Sequence, residues 1–320
     1  MSVYNQNSGY GKDIFNSFKP YMGGNVFIVC GDTDYPNYQM LQELFPPDPM
    51  GVVRFHSTIT SAIAVAQAWD TIYVLGTNNA GLTQTSDYAE TVIIGDTQIG
   101  LRIIGVGNNY EGTLWTCETQ DDYIITVNAN NVLIKNIRFR PNGATGGAIY
   151  VTNDATQQAT GLTVEDCAFR STTETSGYGI ATQDRANDMH IKNCLFSDLA
   201  TYAIAQIGAS NISYRWIITD CSFDTSCTGG VYGIMGKSVI KNCNFGEFDG
   251  AVALSTGGAT GAAGSSNIVT GCTFETNGTI ATDDQLQGTS TDIWVGSLCR
   301  TVSESSYTGA GGEIIGIPGI

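Results

Sequence analysis

The octapeptide "MHIKNCLF" (189–196) places His190 four residues before Cys194, which are the side-chain types of a general base and a thiol nucleophile. Carboxylates offer the other routes to chemistry. Asp184-Arg185 sets an acid beside a cation and would meet Asn153 and Asp154 if the chain repeats at that spacing, giving acids and amides suited to a carbohydrate. Asp121-Asp122 and Asp283-Asp284 are adjacent acid pairs of the kind glycoside chemistry draws on. Asp32 and Asp34 in "GDTDYPN" form a short calcium-like D-x-D. Aspartates in Gly- and Thr-rich surroundings are turn residues before they are catalysts, because their side chains bond their own backbone. Which of these groups can act together depends on the elements that carry them.

Copies of the octapeptide settle part of that. Six are present: "VLIKNIRF" (132–139), "LTVEDCAF" (162–169), "MHIKNCLF" (189–196), "WIITDCSF" (216–223), "SVIKNCNF" (238–245) and "NIVTGCTF" (267–274). The Cys/Ile positions 137, 167, 194, 221, 243 and 272 are separated by 30, 27, 27, 22 and 29 residues. A period of 20–30 with variable insertions is the signature of a β-solenoid. Strand alternation points Val164, Ile191, Ile218 and Ile240 inward, which leaves Cys194 with the wrong parity on a straight strand. A left-handed kink at Asn136, Asp166, Asn193, Asp220, Asn242 and Gly271 removes the conflict, since these residue types adopt that conformation at least cost. Cysteine and phenylalanine columns then face the core. His190, next to inward Ile191, faces out, so His190 and Cys194 should not meet, and a thiol in apolar company is inert.

A second strand recurs on each turn: "GAIYV" (147–151), "YGIAT" (178–182), "YAIAQ" (202–206), "YGIMG" (232–236) and "GAVAL" (250–254). Its expected inward anchors are Ile149, Ile180, Ile204, Ile234 and Val252, with Ala148, Gly179, Ala203, Gly233 and Ala251 outward. That outward row carries no carboxylate ladder. On the first strand, Lys135, Glu165, Lys192, Thr219, Lys241 and Thr270 form an outward charge column. The outward column three positions before each kink reads Leu133, Thr163, His190, Ile217, Val239, Ile268 and becomes apolar toward its C-terminal end. Contact between subunits, as in a homotrimer of parallel solenoids, or cover by the insertion at 256–266 would bury it.

On these repeats the chain resembles the right-handed parallel β-helix, or pectin-lyase-like, superfamily. "TITSAIAVAQAWDTIYVLGTNN" (58–79) resembles that family's capping helix and first strand, with Ile59, Ala62, Ile63 and Ala66 as the buried stripe. "GLRIIGVGNN" (100–109) resembles the turn closing an early coil. "LQELFPPDPMGVVRF" together with that helix and "DTIYVLG" resembles uncharacterised proteins encoded among the virion genes of tailed phages. The resemblance implies an all-β, right-handed single-stranded parallel β-helix with a small N-terminal α/β cap and an extended C-terminal arm. The expected divisions are 1–57 as cap or attachment region, 58–300 as β-helix with its capping helix near 58–68, and 301–320 as the arm. Within the arm, Ile314, Ile315, Ile317 and Ile320 suit either docking on a neighbouring subunit or folding back over the last coil.

Bulk chemistry narrows the function. A formal net charge of −16 opposes binding to nucleic acids and anionic membranes. The nine cysteines contain no CxxC pair, so zinc-ribbon spacing is absent. No apolar run reaches membrane-spanning length, and the first residues lack a secretory signal pattern. No catalytic, cofactor or metal residue transfers from the resembled enzymes. The expectation is a structural protein of the virion surface, made in the host cytoplasm, as head decoration or cement or as tail spike or fibre. Its partners would be copies of itself, joined as a homotrimer through His190, Ile217, Val239, Ile268, Ile314, Ile315 and Ile317, together with other capsid or tail proteins. The alternative is a polysaccharide lyase or hydrolase, or a spike that binds a host-surface glycan, for which Asn153, Asp154, Asp184 and Arg185 are the candidate residues. A cell-surface adhesin ranks third.

Overall fold

The structure, a computed structural model, describes residues 24–33, 38–76, 88–106, 113–143, 145–153, 159–171, 177–208, 211–224, 226–246, 248, 252–257, 266–275, 286–287, 292–300 and 313–315. Each repeat supplies three short strands, and like strands of successive repeats pair in parallel to form sheets of twelve, nine and eight strands. The chain is therefore an all-β parallel solenoid. The first sheet contains the strands before the kink, such as Thr163–Glu165, His190–Lys192 and Ile217–Thr219, in register Thr163↔His190↔Ile217. The second contains the strands after it, such as Ala168–Arg170, Leu195–Ser197 and Ser222–Phe223. The third contains Tyr123–Val127, Gly147–Val151, Tyr178–Thr182, Tyr202–Gln206 and Gly229–Tyr232.

One residue turns the corner between the first and second sheets. Asn136, Asp166, Asn193, Asp220 and Asn242 have φ of 57°, 54°, 51°, 57° and 54°, and Gly271 has 64°. The corner residues also bond each other, Asn193 Nδ2 donating to Asp166 Oδ1 at 2.8 Å. Past the corner, Phe139, Phe169, Phe196, Phe223, Phe245 and Phe274 stack in one buried column, with neighbouring ring centroids 5.3, 4.7, 5.1, 4.5 and 4.8 Å apart. Such rings bury large apolar area in a fixed geometry, roughly 1.5–3 kcal/mol each. Each ladder thiol points at backbone carbonyls. Cys194 Sγ donates to Lys192 O at 3.3 Å and Val164 O at 3.7 Å, and Cys167, Cys221, Cys243 and Cys272 repeat the arrangement. Cysteine thus fills a small apolar site while adding a weak donor, which isoleucine at position 137 cannot do.

The third sheet departs from the expected register. In its later turns the strands are Gly229–Tyr232 and Leu254–Ser255, with Ile204↔Val231 and Val231↔Leu254. Val231 and Leu254 are therefore the anchors, not Ile234 and Val252. The expectation that Ala148 and Ala203 face outward is also overturned, since both are fully buried in the core with Ile149 and Ile204. Ala148, Gly179, Ala203, Gly230 and Ala253 occupy equivalent positions by register and face the phenylalanine column. The reason is steric. A Cβ on Gly179 would sit 2.8 Å from the Phe196 ring, and one on Gly230 3.0 Å from Phe245.

At the N-terminal end, strand Val26–Val29 pairs in parallel with both Phe55–His56 and Thr71–Leu75 and so extends the first sheet. Helix α1 (Tyr38–Leu44) places Leu41 in a satellite cluster with Val26, Ile28, Phe55, Tyr73 and Leu75. Helix α2 (Ile59–Val65) buries Ile59, Ala62 and Ile63 against the main core, with Thr58 as its N-cap. Glu90 completes that cap from the next coil, its carboxylate accepting from Ile59 N at 2.9 Å and Thr60 N at 2.7 Å. At the other end, Glu313–Ile315 pairs with Ile293–Val295, so this segment returns to the last coil as a strand, taking Ile314 and Ile315 into the first sheet. Ile317 and Ile320 lie outside the described residues. Among the described residues no helix is long and apolar enough to cross a membrane.

Candidate functional site

His190 and Cys194 lie on opposite faces of the wall. His190 is exposed on the first sheet, whereas Cys194 is buried beneath the corner. Burial pushes the Cys194 thiol well above its ordinary value, and its thiol neighbours are Cys167 and Cys221. Cys243 is pushed up to about 12 by its hydrogen bond with Cys221 and by burial. All five ladder thiols are buried and so shielded from reagents. Treatment of the native protein with a thiol-specific alkylating agent, followed by peptide mapping, is expected to leave Cys167, Cys194, Cys221, Cys243 and Cys272 unmodified, with full modification in denaturant. Rapid native labelling of any of the five would contradict the buried ladder.

The structure brings Asn153, Asp184 and Arg185 together at one end of the third sheet, and Asp154 lies outside the described residues. Asp184 Oδ1 accepts from Gln206 Nε2 at 2.9 Å, and Oδ2 accepts from Asn211 Nδ2 at 3.0 Å. Asn153 Nδ2 donates to Asp184 O, and an Arg185 guanidinium nitrogen donates to Asn211 Oδ1 at 3.1 Å. Gln206, itself buried, also donates to Gly208 O and Asn211 O. A carboxylate with each oxygen held by an amide is fixed in place as a loop clamp. The Asp121-Asp122 pair closes a turn: Asp121 has φ 66° and accepts from Thr145 N at 3.1 Å, while Asp122 accepts from Tyr123 N at 2.9 Å. Asp34, Asp283 and Asp284 lie outside the described residues. Among the described residues no three His, Cys, Asp or Glu side chains gather in a way that could hold a metal.

Two outward faces are built more deliberately. On the first sheet the register aligns Leu133, Thr163, His190, Ile217, Val239, Ile268 and Ile293 in one column. Its C-terminal half is apolar and open: Ile217 is 37% exposed, Ile268 40% and Ile293 46%, with Val295 beside them at 39%. Ile293 and Val295 extend the apolar strip one coil beyond the sequence-based column. The neighbouring charge column holds Lys135 between Glu165 at 2.9 Å and Asp166 at 3.1 Å. These side chains are partly exposed, so the pairs fix geometry more than they stabilise.

On the third sheet the outward positions hold tyrosines that sequence reasoning missed. Tyr123 stacks on Tyr150 with centroids 4.7 Å apart, and Tyr202 on Tyr232 at 4.8 Å. Tyr178 lies one strand from Tyr202 in register and near enough to raise the pKa of both Tyr123 and Tyr202. Burial is the larger cause of both rises, and the phenols stay neutral at any physiological pH. Glycine lets the rings lean across the strands. A Cβ on Gly147 would lie 2.9 Å from the Tyr123 ring, and one on Gly229 2.4 Å from Tyr202. Ala181 and Ala205, outward by register, are buried beneath this layer and belong to no core cluster. The signal available in the sequence was the first tyrosine of "YGIAT" and "YAIAQ" and the fourth residue of "GAIYV".

Comparison with known proteins adds little. No protein-family model matches the chain, and no curated protein does. Among solved structures the chain is similar to the Streptococcus pneumoniae surface protein and adhesin PfbA, with 13% identity over 76% of this chain and 71% of that one at a TM-score of 0.43. It is also similar to a pectin methylesterase variant in complex with a hexasaccharide, with 11% identity over 90% of this chain and 81% of that one at a TM-score of 0.38. For the pectin methylesterase from carrot the values are 10% identity, 93% and 90% coverage, and a TM-score of 0.41. Likeness at this level says nothing about activity. The class of the protein rests on its own geometry, a parallel β-solenoid.

Proposed function

We propose that the chain is a structural protein of a tailed-phage virion surface, a head decoration or a tail spike or fibre, displayed as a homotrimer of side-by-side solenoids. The observation that carries the reading is the apolar column Ile217, Val239, Ile268 and Ile293, in register on successive coils, its isoleucines exposed and Val239 half-buried. Apolar side chains stacked at ~4.8 Å intervals form a continuous strip rather than scattered contacts, and burying such a strip contributes roughly 25 cal/mol per Å². Three copies around a common axis would cover it on every subunit. Among the described residues the strands of each coil are hydrogen-bonded to those of its neighbours, which opposes local opening of those strands and suits a rigid displayed rod. The net charge of −16 favours a surface that stays soluble at high density.

Light scattering of the purified protein is expected to report three chains per particle. The double variant Ile217→Asp/Val239→Asp should shift it to monomers while keeping the β-sheet circular dichroism of the parent. A stable wild-type monomer at micromolar concentration would sink the assembly. Immunogold microscopy of phage particles tests the location separately, and particles that lack the chain would overturn the virion role.

A further inference from the structure

The tyrosine layer of the third sheet has a composition unlike the rest of the molecule. The chain carries 30 acidic and 14 basic residues, yet the outward positions of this sheet from Tyr123 to Tyr232 hold tyrosine, threonine, alanine and glycine and no Asp, Glu, Lys, Arg or His. The first sheet, built on the same repeat, presents Lys135, Glu165, Lys192 and Lys241 at its outward positions. Its charged column shows that the solenoid does not itself require an uncharged wall. All five rings, Tyr123, Tyr150, Tyr178, Tyr202 and Tyr232, are partly exposed, and stacking against one another holds four of them in place. A row of rings ordered before any ligand arrives loses little side-chain entropy on binding. The two stacked pairs flank the coil of Tyr178, so the layer runs along the solenoid axis over five successive coils of ~4.8 Å.

From this we infer that the third sheet binds a neutral glycan chain lying along the solenoid axis across the tyrosine layer. A pyranose ring presents an apolar C–H face that packs on an aromatic ring, and its equatorial hydroxyls reach outward to polar groups at the edge. Tyrosine serves both needs, having an apolar body and a polar tip. Polar side chains border the layer at the C-terminal ends of the strands: Thr152 bonds Asn128, and Gln183 bonds both Asn153 N at 2.7 Å and the Tyr150 phenol. Charge selects the class of sugar. The outward positions of these strands hold no cation to meet a uronic or sulfated chain, and Arg185 at the sheet's end is bonded to Asn211 beside Asp184, whereas an uncharged chain meets no penalty. A purely apolar partner would offer the phenol hydroxyls of this layer no hydrogen bonds of its own, which disfavours a buried protein contact here. The inference goes beyond the assembly role and does not depend on it, because the tyrosine layer and the apolar column are on different sheets.

The test titrates the purified, full-length protein with a panel of soluble neutral oligosaccharides (gluco-, xylo-, manno- and galacto-hexaoses) and with oligogalacturonate as the acidic control, followed by isothermal calorimetry. At least one neutral hexaose is expected to bind, oligogalacturonate not, and Tyr178→Ala/Tyr202→Ala is expected to weaken binding at least tenfold with the β-sheet circular dichroism of the parent retained. A readout on the unaltered protein runs in parallel, in case the double variant fails to fold. Nitration by tetranitromethane, mapped by peptide, should be slowed at Tyr178 and Tyr202 by the bound hexaose. Failure of every neutral hexaose to bind at millimolar concentration, preference for oligogalacturonate, or binding that leaves nitration of both tyrosines unchanged would each overturn the inference. None of these outcomes bears on light scattering, so the assembly reading stands or falls by itself.

Discussion

Replacing Phe196 by alanine is expected to lower stability by about 3–5 kcal/mol, among the largest losses open to a single side chain in this molecule. The ring lies between Phe169 at 4.7 Å and Phe223 at 5.1 Å, nearly parallel to both at 5° and 7°. It is fully buried, and the facing position is Gly179, which has no side chain to move into the space. Relaxation is therefore blocked on three sides, so the cavity contribution adds nearly in full to the lost transfer energy. Phe196→Leu, which keeps most of the volume, should cost well under half as much. Denaturant unfolding monitored by circular dichroism measures both. Hydrogen exchange should also show protection falling first in Leu195–Ser197 and its neighbours, because coils of a solenoid depend on adjacent coils. An alanine variant with an unchanged midpoint would mean that the phenylalanine column does not hold the coils together.

The reverse change on the opposite wall is expected to be nearly as severe. Gly230→Val puts a Cβ 2.2 Å from the Ala253 carbonyl oxygen and 3.0 Å from the Phe245 ring. Backbone of the next coil cannot swing aside as a flexible side chain would, so the strand must lift or the pairing Val231↔Leu254 must open. Overpacking of this kind costs about 1–3 kcal/mol, and here the two obstacles put it at or above the upper end. The control is one coil away. Ala203 occupies the equivalent position and is tolerated, so Ala203→Gly should cost only about 1 kcal/mol, mostly in backbone entropy. Comparable losses for the two variants, measured by melting temperature, would show that the small-residue row is incidental.

Much of the architecture could be read before any coordinates. The corner at Asn193 was legible because a parity conflict between Ile191 and Cys194 has few local solutions, and Asn, Asp and Gly recur where the solution is needed. The phenylalanine and cysteine columns followed from the same eight residues, and the stripe Ile59, Ala62, Ile63 from helical spacing. The third strand was legible only as a strand. "YGIMG" matches "YGIAT" and "YAIAQ" in pattern better than "GGVYG" does, yet the chain pairs Gly229–Tyr232, with Gly230 facing Phe245 and Val231 filling the core. Ala148 and Ala203 were misplaced for a related reason. Two consecutive inward residues break strict alternation, and that bend is imposed by the ring column opposite. The Asp184 set was found from spacing, but the amides of Gln206 and Asn211 that engage its carboxylate come from a later coil.

The sequence by itself thus determined the repeat, the corner, the core columns and the outward apolar column. All are fixed by backbone preferences and side-chain parity within a few consecutive residues, restated on every turn. Only the tertiary structure decided the register of the third sheet and, with it, the tyrosine layer. Those tyrosines sit at two different positions of their strands, separated by insertions of varying length, and nothing local relates Tyr123 to Tyr150 or Tyr202 to Tyr232. They become one surface only when the phenylalanine column selects which small residue faces it, because that choice sets how every following coil is aligned.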